Sequence, residues 1–180
     1  MKINSFNLFS TTTLALCGLL LLTPSGKAAE KDTLDAADVK FVKHEAAAGM
    51  AVVKIGELGV KKADRPEVKA FAEMIVTDHT KANEELKALA ATKGVELSSV
   101  IDPKHAETLQ TLEKSSGSEF DKEFLAAVVT GHKKCVSNFE TASTDSKDAD
   151  VRAWANKMLP GLKTHLEKAK GLQAKEVSAK

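Results

Sequence analysis

Apolar residues recur at intervals of three and four along four long stretches of this chain. No stretch alternates apolar and polar residues over a useful length, so the pattern predicts an all-α protein without strands. The first stretch runs from Asp35 to Lys62, with Phe41, Ala48, Val52, Ile55 and Leu58 on its stripe. Asp35 is its expected N-cap, with Asp38 in the first turn. Asp64-Arg65-Pro66-Glu67 then reads as a stop and a new start: Asp64 can cap, and Pro66 suits a first helical turn. The second stretch continues to about Lys93, with Val68, Phe71, Ala72, Ile75, Ala82, Leu86 and Leu89 on one face. Gly94 stands where a C′ glycine would end it.

Residues 94–118 form a connector, in which Asp102-Pro103 opens a short helix to about Lys114. The third long helix is expected from Glu119 to about Ser143, and the fourth from Asp148 to about Ala174. Between them lies a polar turn, Ser143 to Lys147. Pro160 falls inside the fourth helix, where it removes one backbone hydrogen bond.

The two halves repeat. At a constant offset of 83 residues, without a gap, Asp38 and Phe41 fall on Asp121 and Phe124. At the same offset Val68-Lys69-Ala70-Phe71-Ala72 falls on Val151-Arg152-Ala153-Trp154-Ala155. Each half is then one helical hairpin, about 35–93 and about 119–174. A lone hairpin cannot bury its apolar stripe, but two packed face to face can. The connector is long enough to cross the bundle from end to end. The expected architecture is therefore a ferritin-like four-helix bundle of two repeated hairpins with a helical crossover.

Composition changes this picture at the N-terminus. Lys2, the apolar run Thr13 to Leu22, and the small residues of Gly26-Lys27-Ala28 read as a secretory signal peptide over residues 1–28. The expected destination is the periplasm or cell envelope, and residues 29–180 form a single bundle domain. Without Lys2 and Lys27 the chain carries 24 basic against 25 acidic residues, a net charge of −1. That balance, with one tryptophan and no tyrosine, is no nucleic-acid signature. No second apolar run reaches membrane length. Cys135 alone follows the leader, so no intramolecular disulfide is expected.

The candidate chemistry lies with histidine. His44, His79, His105, His132 and His165 each fall on a different helix. His79, His132 and His165 lie on or beside apolar stripes. At about 1.5 Å of rise per residue, all three come out near mid-bundle. Neutral imidazoles converging from several helices suit a transition metal, with zinc, copper and iron as candidate ions. Asp78 and Glu167 are neighbouring acids that could orient the rings. Cys135, one turn after His132, adds a sulfur that would favour zinc or copper over magnesium or calcium. The competing reading is a structural polar core, with Cys135 as a small core residue. The Glu-x-x-His pairs of di-iron bundles are absent, and Glu45 is the only acid near a core-facing position of the first helix. His44 and His105 are expected at the surface or rim.

Several blocks resemble a known family. They are Phe41-Val42, Ala46-Ala47, Gly49-Met50, Val68-Lys69-x-Phe71-Ala72, Asp78-His79-Thr80-Lys81-Ala82-Asn83, Phe120-Asp121 and Leu159-Pro160-x-Leu162-x-x-His165-Leu166. The family is that of the exported bacterial proteins called domain of unknown function forty-one forty-two. The resemblance spans about Asp35 to Leu172 and implies a ferritin-like bundle, a signal peptide and a periplasmic or envelope location. It brings no established reaction. Two departures stand out: Val52 where the family often carries an acid, and Gly131-His132 where a second Asp-His pair is usual.

Two functional readings follow. In the first, the chain is a non-enzymatic periplasmic bundle serving binding or envelope stress, since no catalytic constellation is present. In the second, it binds a transition metal through His79, His132 and His165 with Cys135 nearby, with oxidase or metal-buffering activity. The partner is unknown, and a homo-oligomer stays open.

Overall fold

Five helices account for most of residues 33–178, which the computed structural model describes: α1 (Ala36–Lys62), α2 (Pro66–Thr92), α3 (Pro103–Lys114), α4 (Gly117–Asp145) and α5 (Ala149–Ser178). The leader expected at residues 1–28 lies outside the described residues. Local sequence explains most of the ends. Asp35 caps α1 by accepting from the Asp38 N–H at 2.8 Å, and Asp102 caps α3 by accepting from the His105 N–H at 3.1 Å. Gly94 follows α2 with φ 68°, a left-handed conformation that glycine adopts without strain. α4 runs further than the polar turn predicted, to Asp145. The Ser143 and Thr144 hydroxyls donate back to the Glu140 carbonyl, which keeps polar residues helical.

α1 pairs with α2 and α4 with α5. The ends of the hairpins show how the pairs are set. Asp121, at the start of α4, accepts from the backbone N–H groups of Asp64 and Arg65 in the α1–α2 turn, at 2.9 and 3.0 Å. Asp38, at the start of α1, accepts from the Asp148 N–H in the α4–α5 turn at 2.9 Å. α1 and α4 are therefore antiparallel neighbours. Arg65 also donates to the Leu172 carbonyl, which ties the start of α2 to the last part of α5. α2 and α4 then run parallel, joined by the crossover that contains α3. This is the ferritin-like order. α3 lies along α1 and α4, where Lys62 Nζ donates to the carbonyls of Leu112 and Glu113 near its C-terminus.

One expected cap is corrected. Asp64 does not cap α2. Its N-cap residue is Arg65, which makes no side-chain capping bond. The free N–H groups of this turn go to Asp121 in the other hairpin. The repeat makes the clasp reciprocal, because Arg65 and Asp148 are related by the same offset of 83 as Asp38 and Asp121. The aromatic contacts repeat too. Phe124 meets Phe71 edge to face at 6.4 Å, and its counterpart Phe41 meets Trp154 at 6.2 Å.

The core has three levels. One apolar cluster, around Ile75, Phe120, Phe124 and Leu125, fills the end of the bundle at the α1–α2 turn. A second, around Val42, Leu86, Phe139 and Trp154, fills the other end. Between them lies a polar layer. Gly59 sets the approach of α1 in the first cluster: a Cβ there would come within 2.6 Å of Ala72 Cβ and 2.8 Å of Phe124 Cε2. Both neighbours are packed, so Gly59→Ala is expected to cost about 1–3 kcal/mol despite the better helix propensity of alanine. Urea unfolding of the variant measures it.

Candidate metal centre

The polar layer consists of His79 from α2, His132 from α4 and His165 from α5, which are 8%, 2% and 3% exposed. Each lies on the apolar stripe of its helix, between the two clusters. Their centroids lie 5.3 to 5.4 Å apart. One ring nitrogen from each can be chosen so that all three lie within 4.8 Å of one another. His79 Nε2 and His132 Nε2 are 3.3 Å apart.

Neighbouring acceptors set the tautomers of two rings. His132 Nδ1 lies 3.1 Å from the Val128 carbonyl one turn earlier, so Nδ1 carries the hydrogen and Nε2 keeps its lone pair. His165 Nε2 donates to Asp78 Oδ2 at 2.9 Å, so its Nδ1 keeps the lone pair. That Nδ1 is buried without any hydrogen-bond partner, an arrangement that costs free energy unless something fills it. Asp78 precedes His79 in sequence but orients His165 across the α2–α5 seam. Glu167, the other expected orienting acid, sits at the surface beside Lys170 at 2.8 Å.

Burial keeps the His79 and His132 rings neutral. It pushes His79 down to about 3, helped by the charges that His132 and His165 would carry. It pushes His132 down to about 4, helped by His165 and opposed by the Val128 carbonyl. At neutral pH both rings are therefore unprotonated, as a metal ligand must be.

This has a consequence for the metal-free protein. Unfolded, each ring takes up a proton near 6.5; folded, only near 3 and 4. Between those values the unfolded chain holds more protons, so stability falls as the pH drops from about 6.5 toward 3. Glu45 opposes this with a raised pKa, since its extra folded-state proton stabilises at low pH. Asp35, Asp102 and Asp148, whose pKa values are lowered by their hydrogen bonds, act in the same direction as the two rings at the acid end, so the urea midpoint is expected to fall over this range.

Cys135 lies outside the histidine cluster. Its Sγ donates to Glu45 Oε2 at 3.7 Å, and Asn138 donates to Glu45 Oε1 at 3.0 Å. Burial, with the Glu45 carboxylate beside it, pushes the thiol well above its ordinary pKa. Burial also raises Glu45. The sulfur therefore stays a thiol, not a thiolate. Both groups border a cavity of about 80 Å³ that His79, His132, Trp154 and Met158 also line. Trp154 Nε1 is buried without a partner.

Of the rim histidines, His44 is 41% exposed at its side chain. His105, in the first turn of α3, reaches the cavity wall and bonds to Asp102. Asn83 went unremarked as a site residue in the sequence. Its side chain lies against Gly49, where a Cβ would come within 2.0 Å of Asn83 Oδ1. Two of the sequence blocks that carry the resemblance thus converge here: Asp78, His79 and Asn83 from one, Leu162 and His165 from the other.

The centre breaks the internal repeat. At the offset of 83 residues His79, His132 and His165 fall on Leu162, Gly49 and Ala82. A two-fold related second cluster is therefore ruled out by residue type.

Comparison with known proteins agrees with this architecture. The family described as Domain of unknown function (DUF4142) matches residues 23–172. Among solved structures, a DUF305 fragment from Deinococcus radiodurans superposes with a TM-score of 0.71 at 14% identity, covering 79% of this chain and 99% of that one. CopM in its Cu(II)-bound form gives 0.67 at 17% identity, covering 77% and 96%. CopM in its Ag-bound form gives 0.61 at 18% identity, covering 74% and 93%. These likenesses establish the helical bundle. Among curated proteins none matches the sequence significantly. No helix among the described residues is long and apolar enough to cross a membrane.

Proposed function

Since the chain belongs to the DUF4142 family, whose description assigns no reaction, we propose from the site's own geometry that it binds one transition-metal ion at His79, His132 and His165. The observation that carries this is the buried, partnerless Nδ1 of His165 on a ring held by Asp78. A carboxylate behind a ligating imidazole is the usual way a protein orients and strengthens such a ligand. The 3.3 Å separation of His79 Nε2 and His132 Nε2 is close to the ligand–ligand distance implied by metal–nitrogen bonds of about 2.0 Å.

The donor set favours copper in its monovalent form. All three donors are imidazole nitrogens, which carry no charge as metal ligands, and the site is buried between two apolar clusters. The cost of burying an ion rises with the square of its charge, so a divalent ion without an anionic ligand is penalised more heavily. Imidazole suits copper and zinc alike; the charge argument separates them. CopM, with the same fold, has been solved with Cu(II), Cu(I) and silver, which supports the reading. The role is binding or buffering, since the cluster joins only imidazoles and the nearby thiol is held protonated. Export to the periplasm or cell envelope, expected from residues 1–28, would place this buffer where copper enters the cell.

The test is a competition for Cu(I) against a coloured chelator, without oxygen. The wild type should withdraw one copper per chain, and a His79→Ala/His165→Ala double variant should withdraw none. A wild type that leaves the chelator loaded, or a double variant that matches it, would refute the proposal.

A further inference from the structure

Two voids meet at the triad. The cavity described above lies on one side, and its α3 wall is His105. On the other side a groove of about 280 Å³ runs between α2 and α5. His79 and His165 line it, so it reaches two of the three proposed ligands. Gly161 also lines it, and a side chain added there would have open space, since a Cβ would meet nothing within 4 Å. Lys157 bonds Glu85 across this groove at 2.8 Å, and Asp78 is engaged with His165. Met158 lines both the groove and the cavity, and it is half-buried. It is the only sulfur among the groove's lining residues.

We infer that soft monovalent ions reach the triad through the α2–α5 groove, and that Met158 is the transit ligand that hands them on. This rests on the metal-binding reading above and adds the path and the class of ion that follows it. A Cu(I) ion arriving on a small carrier gives up each donor only as another replaces it. A thioether supplies that replacement. It is neutral at any pH, it is soft, and it binds Cu(I) far better than Zn(II). Its three rotatable bonds let the sulfur swing between groove and core without moving the helix. The triad then sets the affinity, while Met158 sets which ions arrive quickly.

Trp154 is the only tryptophan of the chain and lines the cavity, so its fluorescence reports loading. Stopped-flow mixing with weakly chelated Cu(I), and separately with Zn(II), compares the wild type with Met158→Leu and Gly161→Leu. Leucine at position 158 keeps the apolar volume and removes the sulfur. It should slow Cu(I) loading by about tenfold or more, leave the equilibrium affinity unchanged, and leave Zn(II) loading unchanged. Leucine at position 161 fills the groove and should slow both ions. Cu(I) loading of Met158→Leu at the wild-type rate, equal slowing of Zn(II), or an unaffected Gly161→Leu overturns the path. A wild type that takes up no Cu(I) overturns the metal reading itself, so the two failures are distinguishable.

Discussion

A His132→Leu variant is expected to lose its Cu(I) and keep its fold. The ring is 2% exposed, and in the proposed centre its Nε2 supplies one of three lone pairs. Loss of an outer-shell partner alone costs roughly 10–100-fold in metal affinity; loss of one ligand in three should cost more. Leucine fills much of the imidazole's volume, and the Val128 carbonyl that accepts from His132 Nδ1 keeps its own place in α4. His79 Nε2 loses its partner at 3.3 Å, and a buried polar group left unpaired costs about 1–3 kcal/mol, so stability should fall by that much at most. The acid sensitivity should weaken as well, because one of the two depressed rings is gone. Urea unfolding with and without Cu(I) measures all three. Bound metal stabilises the wild type by mass action, and that increment should vanish in the variant.

The reverse pattern is expected at Asp121. Asp121→Ala should leave the centre's residues untouched and cost about 3–5 kcal/mol of stability. The carboxylate is 1% exposed and accepts from the backbone N–H groups of Asp64 and Arg65, with Arg65 Nε at 3.4 Å. Alanine leaves two backbone N–H groups and Arg65 Nε without their acceptor in a part-buried turn. Each lost amide partner alone costs about 1–3 kcal/mol. Against a total stability of about 5–15 kcal/mol, such a loss decides whether the chain folds at 37 °C. Asp38→Ala, which frees only the Asp148 N–H, should cost about 1–3 kcal/mol. Asp121→Asn should fall between the wild type and alanine, since its amide oxygen still accepts. Equal losses at Asp38 and Asp121 would mean that burial of the acid matters, not the number of bonds it receives.

These two residues also show what the sequence makes legible. The rise per residue and the apolar stripes are local properties, and they are enough to place His79, His132 and His165 at one level. The 83-residue repeat likewise gave the hairpins and the crossover. Partnership across helices is a different matter, because it depends on how each helix is rotated against its neighbour. Asp64 looked like the cap of α2 because caps are local, yet the acceptor is Asp121, more than fifty residues away. The signal was present in the pairing of Asp38 with Asp121 at the offset. Two buried acids at equivalent positions implied two equivalent donors. Asp78 and Glu167 looked alike as neighbours of histidines; only the α2–α5 seam selects Asp78. Its spacing of three puts Cys135 one turn after His132. Its sulfur instead meets Glu45, which the sequence placed on another helix with nothing to join them.

The most direct measurement is X-ray absorption on the copper-loaded protein, prepared with one equivalent of Cu(I) under reducing conditions. Three neutral imidazoles predict a first shell of nitrogen alone, at about 2.0 Å, and no sulfur. Retention of the copper through desalting and its loss from His132→Leu would accompany that spectrum. A sulfur scatterer near 2.3 Å would place the ion at Cys135 or Met158, and copper lost on desalting would leave the triad as a polar core layer; either result contradicts the three-histidine centre.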